Sequence, residues 1–125
     1  MKRTVQLMID HLSIGVSDLA KSKAFYEEAL RPLGYRVKIE MDHGVCFGGD
    51  GGDLWIVKSD PSKIHLAFSA QDRATVDQFY EAALNAGGVD NGAPGVRPHY
   101  HENYYGTFIF DPDGYNIEAV CHKAV

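Results

Sequence analysis

The sequence has little of what would place it in several large protein classes. Only two cysteines occur in 125 residues, Cys46 and Cys121, and they lack the short spacing of a thiolate metal site. No apolar run approaches the roughly 18 to 20 residues of a membrane span, so a transmembrane protein is not expected. Twelve Lys and Arg face seventeen Asp and Glu, a net charge of -5, and the basic residues are scattered. The footprint that nucleic acid or an anionic membrane surface demands is therefore missing. Met1-Lys-Arg-Thr-Val-Gln6 carries no apolar h-region, so a cytoplasmic location with reduced thiols is expected. No linker or low-complexity stretch divides the chain. With 45% hydrophobic and 23% charged residues it reads as one domain able to bury a core of its own.

What the chain does contain is itself, twice. His11-Leu-Ser-Ile-Gly-Val-Ser-Asp18 recurs as His65-Leu-Ala-Phe-Ser-Ala-Gln-Asp72, an offset of 65 − 11 = 54 residues. Phe25, Tyr26, Glu27, Ala29, Leu30 and Gly34 keep that offset from Phe79, Tyr80, Glu81, Ala83, Leu84 and Gly88. An ungapped match through a strand pattern and a helix pattern means two copies of one supersecondary unit. The first copy is expected over about residues 5–60 and the second over about 61–123 of a single domain spanning 1–125.

Each copy reads β-α-β-β-β. From Met8 to Val16, Leu12, Ile14 and Val16 form one face and His11, Ser13 and Gly15 the other, the period of a half-buried strand. Asp18 is a plausible helix N-cap, and Leu19, Tyr26, Leu30 and Leu33 recur near helical spacing before Gly34. Three short runs follow, Tyr35 to Ile39, Val45 to Phe47 and Leu54 to Val57, with Gly48 to Gly52 as a turn. In the second copy Ile64 to Ala70 is a strand, with His65, Ala67 and Ser69 on the face opposite Leu66 and Phe68. A helix carrying Val76, Phe79, Tyr80, Ala83 and Leu84 ends at Gly87-Gly88. Asn91 to Gly106 reads as one long irregular loop rich in tyrosine and histidine, a composition more often functional than incidental. Thr107 to Phe110 and Tyr115 to Cys121 close the chain as strands around the turn Asp111-Pro-Asp-Gly114. Phe25, Tyr26, Phe79 and Tyr80 are read as packing, and Asp111 and Asp113 as turn residues.

Both opening histidines lie on faces whose neighbours are small, which leaves room for something to bind. Aligning Leu54-Trp-Ile-Val57 with Ile117-Glu-Ala-Val120 makes Trp55 the counterpart of Glu118. If the sheets curl together, His11, His65 and Glu118 converge. Two imidazoles and a carboxylate suit a divalent ion such as Zn, Fe, Ni or Mn with coordination positions left open. The competing reading of a histidine on a strand is a hydrogen-bonded structural residue, and repetition at equivalent positions weighs against it.

Paired βαβββ units, the opening Asp10-His-Leu-Ser-Ile-Gly-Val-Ser-Asp-Leu19 with Phe25-Tyr26, and the ending Phe110-Asp-Pro-Asp-Gly-Tyr-Asn-Ile-Glu118 resemble the vicinal oxygen chelate superfamily. Glyoxalase I, bleomycin-resistance proteins and extradiol dioxygenases belong to it. The resemblance runs from about Met8 to His122. It implies an α+β fold of two tandem βαβββ modules forming a cupped mixed sheet, the glyoxalase/bleomycin resistance/dioxygenase-like fold, commonly as a homodimer. It implies His11, His65 and Glu118 as ligands of a divalent metal. Glyoxalase I has a fourth ligand where this chain has Trp55, and extradiol dioxygenases have a strand tyrosine where it has Phe108. The implied activity is that of a metal-dependent enzyme, lyase or isomerase or else ring-cleaving dioxygenase, acting on a small substrate that chelates the metal through oxygen atoms. The alternative is a metal-free drug-binding protein of the bleomycin-resistance type. His101 is the candidate general acid or base, and Tyr104 and Tyr105 are candidate donors to an oxyanion. Trp55, Ser13, Ser69 and Phe108 are expected in the substrate pocket, with His122 a distant further ligand. The site is built within one chain or across two; the sequence is compatible with both.

Overall fold

The computed structural model describes residues 10–49, 51–61 and 64–125. Each helix starts where an aspartate side chain takes up an unpaired backbone N–H. Asp18 accepts from the Lys21 amide at 3.1 Å to open α1 (Leu19–Ala29), and Asp72 accepts from the Thr75 amide at 2.8 Å to open α2 (Arg73–Asn85). α1 stops well before Gly34: it ends at Ala29, and Arg31–Leu33 form one turn of 3-10 helix. Pro32 explains the early end, because its ring clashes with the carbonyl four residues back and it has no N–H to donate. Gly34 (φ 86) closes that turn, and Gly87 (φ 95) terminates α2.

The strands are β1 (His11–Val16), β2 (Arg36–Met41), β3 (Gly44–Gly48), β4 (Asp53–Lys58), β5 (His65–Ser69), β6 (Val89–Val96), β7 (Tyr105–Phe110) and β8 (Asn116–Cys121). They form two four-stranded mixed sheets ordered β1-β4-β3-β2 and β5-β8-β7-β6. In each, the first strand runs parallel to the last and the other pairs are antiparallel. The two sheets therefore repeat one topology, as the internal repeat requires. Of the expected first strand, Met8 and Ile9 lie outside the described residues, as does Asp50 of the glycine-rich turn.

The stretch from Asn91 to Gly106 is not one loop. Its first part belongs to edge strand β6, which pairs with β7 through two register shifts, one between Asp90 and Gly92 and one between Gly92 and Gly95. Three glycines or prolines in Gly92-Ala-Pro-Gly95 hide a strand from propensity reading, yet an edge strand with bulges tolerates them. The true loop is residues 97–104, closed at its base by the Arg97 amide donating to the Tyr104 carbonyl at 2.7 Å.

One hydrophobic cluster takes in both halves: Phe25, Tyr26, Phe47 and Ile56 pack in it with Phe79, Ile109 and Ile117, all fully buried. α1 packs on α2, and each helix also lies on its own sheet. At Gly88 an added Cβ would stand 2.8 Å from the Phe25 ring and 2.6 Å from Ile109, so only glycine lets the first half's helix approach so closely. Both sheets spend their helix-side faces on this shared core. On their opposite faces His11 and Ser13 of one sheet and His65, Ala67 and Ser69 of the other are exposed.

Polar ties fix one half against the other. The buried Asp111 carboxylate accepts from the Tyr26 hydroxyl at 2.6 Å on one oxygen, and from the amides of Asp113 at 2.9 Å and Tyr115 at 2.8 Å on the other. The Tyr115 hydroxyl donates to the Gly15 carbonyl at 2.6 Å, and the Ser17 amide donates to Asp113 at 3.1 Å. Burial raises Asp111 above the usual carboxylate range, and its hydrogen bonds pull the other way. Tyr26→Phe should keep the fold and lower stability by about 1–3 kcal/mol, since a buried carboxylate oxygen loses its donor. Loss of the donor raises Asp111 further in the folded state, and a raised acid contributes stability only below its unfolded pKa. The deficit should thus be largest at neutral pH and shrink as Asp111 is protonated; urea denaturation of both proteins across pH measures it.

Candidate functional site

The clearest polar cluster sits on the open face of the second sheet. β5 and β8 run parallel with Ala67 opposite Glu118 and His65 opposite Asn116, and β7 puts Phe108 opposite Glu118. Glu118 is only 2% exposed, although it is a carboxylate. Its Oε1 lies 3.0 Å from His65 Nε2, and its Oε2 accepts a hydrogen bond from the Tyr104 hydroxyl. No Lys or Arg pairs with it among the described residues.

The histidine's two nitrogens decide what this pair can do. His65 Nδ1 is 3.1 Å from the Asn116 carbonyl oxygen, which can only accept, so Nδ1 carries a proton. In neutral imidazole Nε2 is then a lone pair aimed at a carboxylate oxygen. Two acceptors 3.0 Å apart need either a proton on one of them or a metal ion between them. A ring whose far nitrogen is tied to a carbonyl is also how metal-ligating histidines are held. About 3 Å is the separation of neighbouring donors on one octahedral ion with bonds near 2.1 Å. The donor set therefore fits a divalent ion.

Around the pair, His65 stacks on Phe108 at 6.3 Å between centroids and 28° between planes. Burial first, then the hydrogen bond to Glu118, pushes the Tyr104 phenol well above its ordinary range, so it remains a donor at neutral pH. Tyr104 meets His122 edge-on at 5.2 Å, and His122 meets His101 edge-on at 5.7 Å. Tyr100 lies 5.0 Å from Tyr104, ring to ring.

His101 is exposed and accepts from the Asn103 amide at 3.3 Å; it joins the cluster only through His122. Tyr105 faces the other way. It is the first residue of β7, where side chains alternate, and its hydroxyl donates to Asp77 of α2 at 2.7 Å while Arg73 lies over its ring at 5.0 Å. Ser69 lies exposed on β5, opposite Val120.

The first sheet bears the other half of the expected set. His11 is exposed and its Nδ1 contacts Asp10 at 3.0 Å. Ser13 lies opposite Trp55, and Trp55 opposite Cys46. The chain does not bring His11 to His65 and Glu118: among the described residues no three His, Cys, Asp or Glu side chains gather in a metal-ligating group. The reason lies in the shared core, which claims the helix-side face of both sheets and leaves the two histidine faces separate. Ile39 and Met41 on β2, opposite Cys46 and Gly44, are 44% and 51% exposed at the edge of the sheet farthest from β1.

Sequence reading overlooked Arg97, whose guanidinium lies 5.5 Å from the Phe108 ring centroid. Its signal was a single cation among aromatic loop residues, preceded by two glycines. Among the described residues no helix is long and apolar enough to cross a membrane.

Comparison with known proteins agrees with this architecture. The chain is 28% identical to the uncharacterized protein YqjT of Bacillus subtilis (strain 168), over 89% of this chain and 96% of that one. A glyoxalase/bleomycin resistance protein from Albidiferax ferrireducens T118 superposes with a TM-score of 0.81 at 28% identity, over 93% of this chain and 99% of the other. The lactoylglutathione lyase of Agrobacterium tumefaciens shares the fold at a TM-score of 0.70 and 19% identity, over 90% and 92% of the two chains. The sequence model of the Glyoxalase/Bleomycin resistance protein/Dioxygenase superfamily matches residues 8–119, and the chain belongs to that family.

Proposed function

We propose that two copies of this chain form a metal-dependent enzyme, His65 and Glu118 of one copy and His11 of the other holding a divalent ion. The substrate is a small molecule that chelates the ion through oxygen atoms. The reading is carried by one observation, the His65 Nε2 lone pair set 3.0 Å from the buried Glu118 carboxylate. The exposed Ile39 and Met41 on edge strand β2 of the first sheet supply apolar surface for a second copy to cover. A bound divalent ion would act as a Lewis acid on the substrate's oxygens, the chemistry common to lyases, isomerases and ring-cleaving dioxygenases.

The chain's own groups do the rest. The Asn116 carbonyl fixes the His65 tautomer, and Tyr104 holds the second Glu118 oxygen so that the first stays turned to His65. Phe108 backs the His65 ring, and Trp55 gives the partner face an aromatic wall where a fourth ligand would stand. With an indole there, coordination positions stay open for substrate. His101 and His122 form an imidazole pair at the mouth of the loop, placed to exchange protons with solvent.

Elemental analysis of protein purified without chelators or tag should find one divalent ion per chain. Iron or manganese selects dioxygenation; zinc or nickel selects lyase or isomerase chemistry. A chain that takes up no metal on reconstitution is a metal-free binding protein. His65→Ala should lose the ion with the fold intact by circular dichroism. Mixing His11→Ala with His65→Ala protein should regenerate one intact site in each mixed dimer and recover metal; no recovery would place all ligands within one chain. Tyr104→Phe should keep the fold and weaken metal affinity about tenfold to a hundredfold, read by competition with a chromophoric chelator.

A further inference from the structure

Arg97 stands at the start of the loop, and its placement is specific. Its Nη2 donates to the Ala93 carbonyl at 2.8 Å, and the guanidinium packs over Phe108. Two glycines make its slot: a Cβ added to Gly92 would lie 3.1 Å from Nη2, and one added to Gly95 would lie 3.1 Å from Nη1. Phe108 is the cross-strand partner of both Gly92 and Glu118, so it has the guanidinium to one side and the buried carboxylate to the other. The His65 ring stacks on the same phenyl group. The cation thus lies on the face that bears the proposed metal ligands, against β6 and two strands out from Glu118.

Among the described residues no carboxylate pairs with Arg97. Stapling the loop requires one donor, which the Ala93 carbonyl takes. The rest of a half-buried planar cation is left over on a substrate-facing surface. Guanidinium offers two parallel N–H donors in the spacing of a carboxylate or phosphate, and stacking on an aromatic ring holds that fork in place.

The geometry points to Arg97 as the specificity-determining residue of this site, binding a carboxylate or phosphate group of the substrate away from the oxygens that chelate the metal. The substrate class is then small anionic chelates, molecules with two vicinal oxygens and a separate oxyanion. This rests on the metal-site reading above.

Paired probes that share a chelating end and differ in the remote anion test it. Titration calorimetry on manganese-loaded protein would compare 3,4-dihydroxybenzoate with catechol, and 3,4-dihydroxyphenylphosphonate with catechol; the two pairs separate carboxylate from phosphate-like recognition. The wild type should prefer the charged member of at least one pair by about tenfold or more. Arg97→Gln should abolish that preference and leave the uncharged member's affinity unchanged, a control that a collapsed loop would fail. Arg97→Lys, which keeps the charge without the planar fork, should retain part of the preference. Equal affinity within both pairs for the wild type, or a preference that survives Arg97→Gln, overturns the assignment while leaving the metal site standing. Failure of the wild type to take up manganese or to bind any probe overturns the metal-site reading and this inference together.

Discussion

The structure depends most on the buried carboxylate of Asp111. One oxygen shapes the turn by accepting from Asp113 and Tyr115, and the other reaches across to the Tyr26 hydroxyl of α1. β8 begins two residues after the tight turn ends, so the turn sets where that strand starts. Its register in turn places the Asn116 carbonyl against one nitrogen of His65 and Glu118 against the other. A structural acid at the junction of the halves thus positions the polar pair at the start of the strand. The Tyr115 hydroxyl donating to Gly15 of β1, and the Ser17 amide just after β1 donating to Asp113, reinforce the same junction.

The two sheets repeat one topology but not one chemistry. His65, Glu118 and Phe108 occupy the register positions that His11, Trp55 and Cys46 occupy in the first sheet. The second sheet concentrates charge, with a buried carboxylate held by an imidazole and a phenol. The first is aromatic and apolar there, Trp55 being the cross-strand partner of a fully buried Cys46 whose thiol burial raises above its ordinary range.

The repeat was legible because its residues are tied to backbone geometry. Asp18 and Asp72 both cap helices, Phe25 and Phe79 both lie in the core, and the opening strands bury Ile14, Val16 and Phe68 as read, whereas Leu12, expected on the packed face, is 40% exposed at the start of β1. Pro32 shortened α1 against the apolar period, since a steric rule outweighs periodicity. β6 was hidden because bulges at an edge admit the glycines and proline that usually mark a loop. Tyr104 and Tyr105 looked interchangeable in the loop, and strand alternation sent one to Glu118 and the other to Asp77.

The sequence by itself determined the two βαβββ units, their caps, their core faces and the two histidines on open faces. These follow from interactions between residues near one another in the chain. Only the tertiary structure decided how the halves meet. It buried both helix faces in one core, kept His11 apart from His65 and Glu118, and set Arg97 over Phe108. Those outcomes depend on contacts between residues distant in sequence, such as Tyr26 with Asp111 and Phe25 with Gly88, where packing and desolvation of whole surfaces decide and no local pattern records the result.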